Sequence, residues 1–425
     1  MISSARKCAL TALMLFLSIG SLFAQETPDS PDVLKNQADA KDVIRAIFRK
    51  KSTIDTGEKH PYFTILPSAG YNPSVGISVG VTSTIGKWYG DPNKTILSVY
   101  NANAYVSTYG LASFEIKENV FTADNKFNIQ GGIQAGETVA YDYGVGTGHA
   151  VQGEGSFSVN SFPLANNADV FPIQYTYLKF NERIYKKIFK YIYAGAGVIA
   201  DFYTNIDDQR KLGPNISTHN YRYSQLNDYP TDGYQANGFL FNLEYNSRDQ
   251  INRPYHGLYI DLVLRTNETW MGSNHSSIQL KTELRKYWSL SEKHPEEVIA
   301  FWLWGSYVLR GTVPYLELTG TGSDAAGRLG RAYTIGRFKG PSFYYNEAEY
   351  RFPITTNKLL GGVVFANIET ADNLRTIKLF EYVEPGAGIG LRLLFNKYTR
   401  SNLCIDYGRG NYGSNGLFLG LNEVF

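Results

Sequence analysis

Between residues 277 and 284 the apolar side chains Ile278, Leu280 and Leu284 are interleaved with Gln279, Lys281 and Glu283, and Arg285 follows. The same period of two runs through 258–265, where Leu258, Ile260, Leu262 and Leu264 alternate with Tyr259, Asp261 and Arg265. It recurs in 239–246, where Phe239, Phe241, Leu243 and Tyr245 alternate with Asn242, Glu244 and Asn246. A helix repeats every 3.6 residues and cannot produce this pattern, whereas successive side chains of a strand point to opposite faces. Such segments predict sixteen strands, at 62–70, 75–87, 93–106, 110–121, 125–138, 172–183, 189–204, 236–246, 256–269, 276–290, 296–310, 343–353, 360–369, 385–395, 401–408 and 416–425. A midplane Arg or Lys turned to lipid costs about 2–4 kcal/mol, so the charged faces are expected to line a wet lumen. The expected fold is all-β, a transmembrane antiparallel β-barrel over residues 62–425.

Connection lengths test this independently. The long stretches 139–171, 205–235, 311–342 and 370–384 all follow odd-numbered strands, and every connection after an even-numbered strand is short. Bacterial barrels keep short periplasmic turns and long outer loops. An even strand count puts both ends of the barrel on the periplasmic side. The stretch 151–161 reads as one more strand or as an ordered part of its loop. A secreted β-propeller or sandwich is the competing all-β class, but it requires neither one charged face on so many strands nor an aromatic last residue.

The segment 416–425 alternates in the same way and is expected to set Leu417, Leu419, Leu421 and Phe425 on one lipid-facing side of the closing strand. At the other end, Arg6 and Lys7 precede an apolar run from Ala9 to Ile19, which reads as a secretory signal peptide over 1–24. The run is short for a membrane-spanning helix, which needs roughly 20 apolar residues. Removal of Cys8 with this peptide leaves Cys404 alone, so no disulfide framework is expected. Residues 25–61 are then a short periplasmic segment. Val33, Leu34, Val43, Ile44, Ile47 and Phe48 among charges suggest a short amphipathic helix there, either a tether packed on the rim or a lid or docking helix.

Composition agrees with a barrel. Tyr 32 and Phe 24 fit aromatic girdles, and a net charge of +2 gives no reason to invoke nucleic acid. No catalytic motif stands out, so an enzyme is not expected. His60, His149, His219, His256, His275 and His294 lie in connections or at strand ends, with no two at metal-ligand spacing. The loop histidines His149, His219 and His275 are expected to be solvated, and neither metal nor cofactor is predicted.

One stretch stands above this background. Residues 327–340 read Gly-Arg-Leu-Gly-Arg-Ala-Tyr-Thr-Ile-Gly-Arg-Phe-Lys-Gly, and the next strand turns Glu347, Glu349 and Arg351 to one face and Tyr344, Ala348, Tyr350 and Phe352 to the other. A loop folded back into the lumen would set Arg331 or Arg337 against those carboxylates, whereas a solvated outer loop would leave the charges lining the lumen. The motif Arg331-Ala332-Tyr333 with Gly336, Arg337 and Phe338, and the strand Glu349-Tyr-Arg-Phe-Pro353, resemble the sixth extracellular loop and following strand of the BamA/TamA family of outer-membrane assembly barrels, the bacterial surface antigens. The turn at 246–257 and the closing hairpin from Asp406-Tyr-Gly408 through 416–425 are similar to that family as well.

The resemblance covers roughly residues 62–425. It implies sixteen strands in the outer membrane and an extracellular loop 6 tucked inward, with Arg331 meeting lumenal acids and Glu349 its best candidate. Two features depart from the family: Ala332 stands in place of the usual glycine of the loop triplet, and residues 25–61 leave no room for periplasmic POTRA modules. The expectation is a barrel-only member that takes part in outer-membrane protein assembly or translocation through a weak seam between first and last strands. Its expected partners are outer-membrane lipid and other outer-membrane proteins or an assembly complex. The alternatives are a passive pore whose selectivity is set by Glu244, Asp261, Lys281, Glu283 and Arg285, and a structural partner in an outer-membrane complex.

Overall fold

A computed structural model describes residues 37–40, 42, 62–72, 76–91, 94–148, 170–208, 218–250, 252–324, 327–373, 375–397 and 400–425. The predicted signal peptide, the segment at 151–161 and His149 lie outside the described residues. So does the predicted N-terminal helix, except around Asp39 and Asp42. There the Asp39 carboxylate accepts from Asp42 N at 2.9 Å, and the stretch is tied to the barrel by an ion pair of 2.8 Å between Asp42 and Lys397.

Among the described residues, sixteen antiparallel strands follow one another in simple up-and-down order. They are β1 (Tyr62–Asn72), β2 (Gly76–Lys87), β3 (Ser98–Ser107), β4 (Ala112–Phe121), β5 (Phe127–Asp142), β6 (Phe171–Phe189), β7 (Ile192–Asp207), β8 (Tyr234–Asn246), β9 (Gly257–Asn267), β10 (Ser277–Ser289), β11 (Val298–Arg310), β12 (Ser342–Pro353), β13 (Leu360–Ala371), β14 (Glu384–Asn396), β15 (Ser401–Gly410) and β16 (Asn415–Leu421). The expected count holds, and the long connections follow β5, β7, β11 and β13. Strand β6 runs further than expected, because Lys186 and Lys187 break the apolar alternation without breaking the ladder.

Ladder pairing joins each strand to the next. Strands β1 and β16 bring Cα atoms within 8 Å of each other, yet no register pair joins them among the described residues. The outer face is apolar: Ile77, Val79 and Val81 on β2, Phe114 and Ile116 on β4, Leu178, Phe180 and Ile184 on β6, Ile389 and Leu391 on β14, and Leu417 and Leu419 on β16 are all exposed. A soluble protein would bury such side chains; on a barrel they face lipid. No helix among the described residues is long and apolar enough to cross a membrane.

The interior is filled by a buried cluster that includes Tyr287, Trp302, Tyr333, Phe338, Phe343, Tyr345 and Phe425. A second, tyrosine-rich cluster of Tyr177, Tyr203, Tyr229, Tyr234 and Tyr315 lies where β6, β7 and β8 meet the outer loops and the helix α1 (His219–Leu226).

One expectation is corrected here. Leu417 and Leu419 face outward, but β16 ends at Leu421, whose side chain lies outside the described set. Asn422 then takes a left-handed φ of 68°, which swings the chain off the wall. Phe425 therefore lies inside the lumen, 3% exposed, and not on lipid. Of the loop histidines expected to be solvated, the two described are half-buried against aromatic rings: His219 meets Phe171 edge-on at 5.0 Å, and His275 meets Tyr229 at 4.5 Å.

Candidate functional site

The connection from β11 to β12 folds into the lumen. A two-residue ladder pairs Thr319 and Gly320 with Gly340 and Lys339, closing a long loop whose tip carries Arg331. Its guanidinium is 2% exposed and meets three carboxylates: Glu347 at 2.5 Å, Asp406 at 2.7 Å and Glu349. Strand alternation explains the first and third, since Glu347 and Glu349 are successive inward positions of β12, and Asp406 faces them from β15. The Phe365 ring stacks under the guanidinium, 3.8 Å from it.

A buried charge is tolerated only when matched, and here the match is extended. Arg351 bonds Glu349 at 2.7 Å, Arg392 bonds Asp406 at 2.5 Å and Glu423 at 2.7 Å, and Arg253 lies 3.7 Å from Glu423. Four arginines thus face four carboxylates: Arg253, Arg331, Arg351 and Arg392 against Glu347, Glu349, Asp406 and Glu423. Burial pushes the Glu423 carboxyl up, but Arg392, Arg351 and Arg253 override it and hold it well below the ordinary range.

The same network fastens the chain after β16. Arg328 of the loop donates to the carbonyls of Asn422 and Glu423 at 2.9 and 2.8 Å. Arg351 donates to the Phe425 backbone oxygen at 2.8 Å, and the Phe425 ring stacks on Trp302 with centroids 5.2 Å apart. Loop and tail are therefore held by one set of side chains.

The rest of the motif positions the tip. Tyr333 donates to Pro385 O at 2.6 Å and meets the buried Phe338 edge-on at 4.9 Å. Ser414 donates to Ala332 O at 2.9 Å. Ala332 is fully buried and is not among the residues with positive φ, so alanine fits where the resembling family carries glycine. Gly336 does use a left-handed φ, at 75°. Arg337 stacks on Phe338 at 4.2 Å, so the two candidate arginines of the loop part company. Close approach of loop to wall depends on β15: a Cβ at Gly408 would stand 2.3 Å from Arg331 O, and one at Gly410 2.4 Å from the Tyr333 ring.

Toward the outer mouth a second set of charges anchors the loop base. Glu317 accepts from Arg265 at 2.8 Å and from the Tyr203 hydroxyl at 2.6 Å, and Arg265 also pairs with Asp201 at 2.9 Å. Burial alone would raise the Glu317 carboxyl, but Arg265 and then Lys179 bring it down to about 2. Of the proposed pore-lining groups, Glu283 pairs with Arg285 at 2.5 Å and accepts from Trp302 Nε1 at 2.8 Å. A lumenal cavity of about 1210 Å³ remains between the loop and the wall of β3–β7, lined by Asn101, Glu115, Asn119, Gln130, Gln134 and Lys179 among others. Among the described residues no group of three or more His, Cys, Asp or Glu side chains is placed to hold a metal ion.

Sequence reasoning missed the partners that come from afar. Asp406, Arg392 and Glu423 approach Arg331 only because β14, β15 and the tail close around the loop. The signal available for Arg392 and Asp406 was a charge set within a run of apolar and glycine residues, Gly388–Leu394 and Leu403–Gly408; Glu423, beyond β16, carried none.

Residues 70–397 match the Omp85 superfamily domain. Among solved structures, the chain is similar to BamA from Haemophilus ducreyi lacking POTRA domains 1-3, with 14% identity, 88% of this chain and 74% of that chain covered, and a TM-score of 0.55. It is also similar to CdiB from Acinetobacter baumannii, at 12% identity, 85% and 59% coverage and a TM-score of 0.50. CdiB from Escherichia coli gives 6% identity, 85% and 62% coverage and a TM-score of 0.52. At these identities the likeness shows the fold, and the chain spans less than two thirds of either CdiB chain. No curated protein sequence matches.

Proposed function

The chain belongs to the Omp85 superfamily, and from that premise we propose that it takes part in outer-membrane protein assembly or translocation, acting at the seam between β1 and β16. The observation that carries this reading is the contrast at the seam: consecutive strands share a ladder, and among the described residues the first and last lie close without a register pair. Unpaired N–H and C=O groups on facing edges template an incoming strand. The lumenal loop supports the same reading, because a tightly matched ionic plug serves a passive pore poorly. The role needs no catalytic group, and the partners are client barrels or an assembly complex together with outer-membrane lipid.

Depletion of the protein in its native host, followed by quantitative proteomics of the outer membrane, tests this. Loss of other outer-membrane proteins is the expected result. An unchanged outer-membrane proteome would overturn the reading.

A further inference from the structure

The lipid-facing wall of β3–β6 carries a polar stripe. Register sets Tyr100 of β3 opposite Glu118 of β4, Glu118 opposite Gly131 of β5, and Gly131 opposite Glu182 of β6. Directly opposed residues of a ladder share one face. That face is the outer one: Ile116, Ile133, Phe180 and Ile184, each two residues from a member of the stripe, are all exposed. Two carboxylates therefore look out of the barrel from within its apolar band.

Gly131 lets them approach each other. A Cβ at that position would collide with Glu182 Oε2, so the Glu182 side chain lies across the glycine, in the direction of Glu118. Its Oε1 is shielded and has no hydrogen-bond partner among the described residues. The Tyr100 hydroxyl is bonded to that of Tyr89 at 2.9 Å and closes the stripe toward the periplasmic turn.

The chain supplies this pair with no cation on its own side of the wall. Strands β3, β5 and β7 contain neither Lys nor Arg. Lys117 of β4 lies on the lumenal face, paired with Glu115 at 2.6 Å. On β6, Lys179, Arg183 and Lys187 alternate onto the lumenal face with the buried Tyr185, and Arg183 is held there by a 3.4 Å bond to the Tyr185 hydroxyl. Lys186 does face outward and is exposed, but four residues separate it from Glu182, about 13 Å along a strand. Carboxylates turned to hydrocarbon are costly and rare, and they mark functional contacts.

We infer that this stripe is a docking site for a different membrane-embedded protein, one whose lipid-facing surface presents a lysine or arginine level with Glu118 and Glu182. Charge complementarity selects that occupant. A lipid ammonium stays at the headgroup level, the level that suits Lys186, whereas the stripe lies one apolar row deeper, beyond Ile184. A second copy of this chain, related by a two-fold axis along the membrane normal, would set carboxylates against carboxylates at equal depth. The flat frame of Ile116, Ile133, Phe180 and Ile184 gives the partner apolar contact, and its cation enters between the two acids. Docked there, the partner has only β2 between it and the seam strand β1. The inference needs only a lipid-facing wall and stands apart from the seam reading.

The test is photo-crosslinking in the outer membrane of the native host, with p-benzoylphenylalanine in place of Ile133 of the full-length chain and, as a control, in place of the exposed Ile389 of β14. The expected result is a protein adduct at 133 and not at 389. Mass spectrometry should map it to a membrane-spanning segment that carries a Lys or Arg. In the double variant Glu118→Gln, Glu182→Gln the adduct is expected to fall at least about tenfold, with heat-modifiable gel mobility showing that the variant is folded. Glu118→Lys with Glu182→Lys, combined with Glu in place of the partner's cation, should restore it. No adduct at 133, an adduct with lipid or with a second copy alone, or a protein adduct indifferent to the two glutamines overturns the inference.

Discussion

Within the C-terminal part of the lumen, Trp302, Tyr333, Phe338, Phe343, Tyr345 and Phe425 are packed to near-zero exposure around a matched set of four arginines and four carboxylates. On the wall of β2–β5 nothing comparable is found. Phe121 is the one hydrophobic residue of those strands that is buried among the described residues, and the inward positions Asn101, Glu115, Asn119, Gln130 and Gln134 look onto the cavity. One part of the barrel is held by side chains crossing the lumen, and the other by its ladder and by side-chain bonds between neighbouring strands such as Thr84 to Asn101 and Asn103 to Glu115, with Asp142 at the end of β5 its link to the lumenal loop. The seam joins the two kinds of wall: β1 is laddered to β2, and β16 is backed by loop and tail.

Substitutions on the two sides should separate this contrast. The largest effect is expected from Arg331→Ala, which leaves Glu347, Glu349 and Asp406 buried without their shared partner; the cost is about 3–5 kcal/mol. A urea titration of the refolded barrel should show the loss, together with protease cleavage within 327–340. Next comes Glu423→Gln, which removes one charge from Arg392, Arg351 and Arg253 and should cost about 2–3 kcal/mol. Its signature is release of Phe425 from Trp302, read as a change in tryptophan fluorescence.

Acid should imitate these changes. Glu317 and Glu423 have carboxyls depressed below the ordinary value of 4.5, so their contribution is complete above that pH and is lost as pH falls from about 4.5 toward 2. Limited proteolysis across that window should show the loop opening. At the far end of the scale, Asn101→Ala on the cavity wall should change stability by no more than about 0.5 kcal/mol. A loss there as large as that of Arg331→Ala would remove the distinction between the two parts.

The strands were legible because alternation is a local property: Ile278 to Arg285 announces its two faces without reference to any other strand. The position of Phe425 was not, since the same alternation continues through 416–425 and gives no notice of the turn at Asn422. That turn is set by what Glu423 finds inside, namely Arg392, Arg351 and Arg253, contributed by β14, β12 and the turn before β9. The charged faces of Glu347 and Glu349 could be read from β12, but the choice between Arg331 and Arg337 depends on glycines of β15 that let the tip reach the wall. The half-burial of His219 and His275 likewise depends on aromatic neighbours distant in sequence, and so does the tyrosine cluster at the outer mouth.

The central claim concerns the seam, and a disulfide across it is the most direct test. One cysteine is placed in β1 and one in β16, in a Cys404→Ala background, and the protein is compared in oxidised and reduced form in cells that depend on it. The account predicts that the locked barrel folds and reaches the outer membrane but no longer supports accumulation of other outer-membrane proteins, and that reduction restores it. Undiminished accumulation with the seam fully locked would contradict the account.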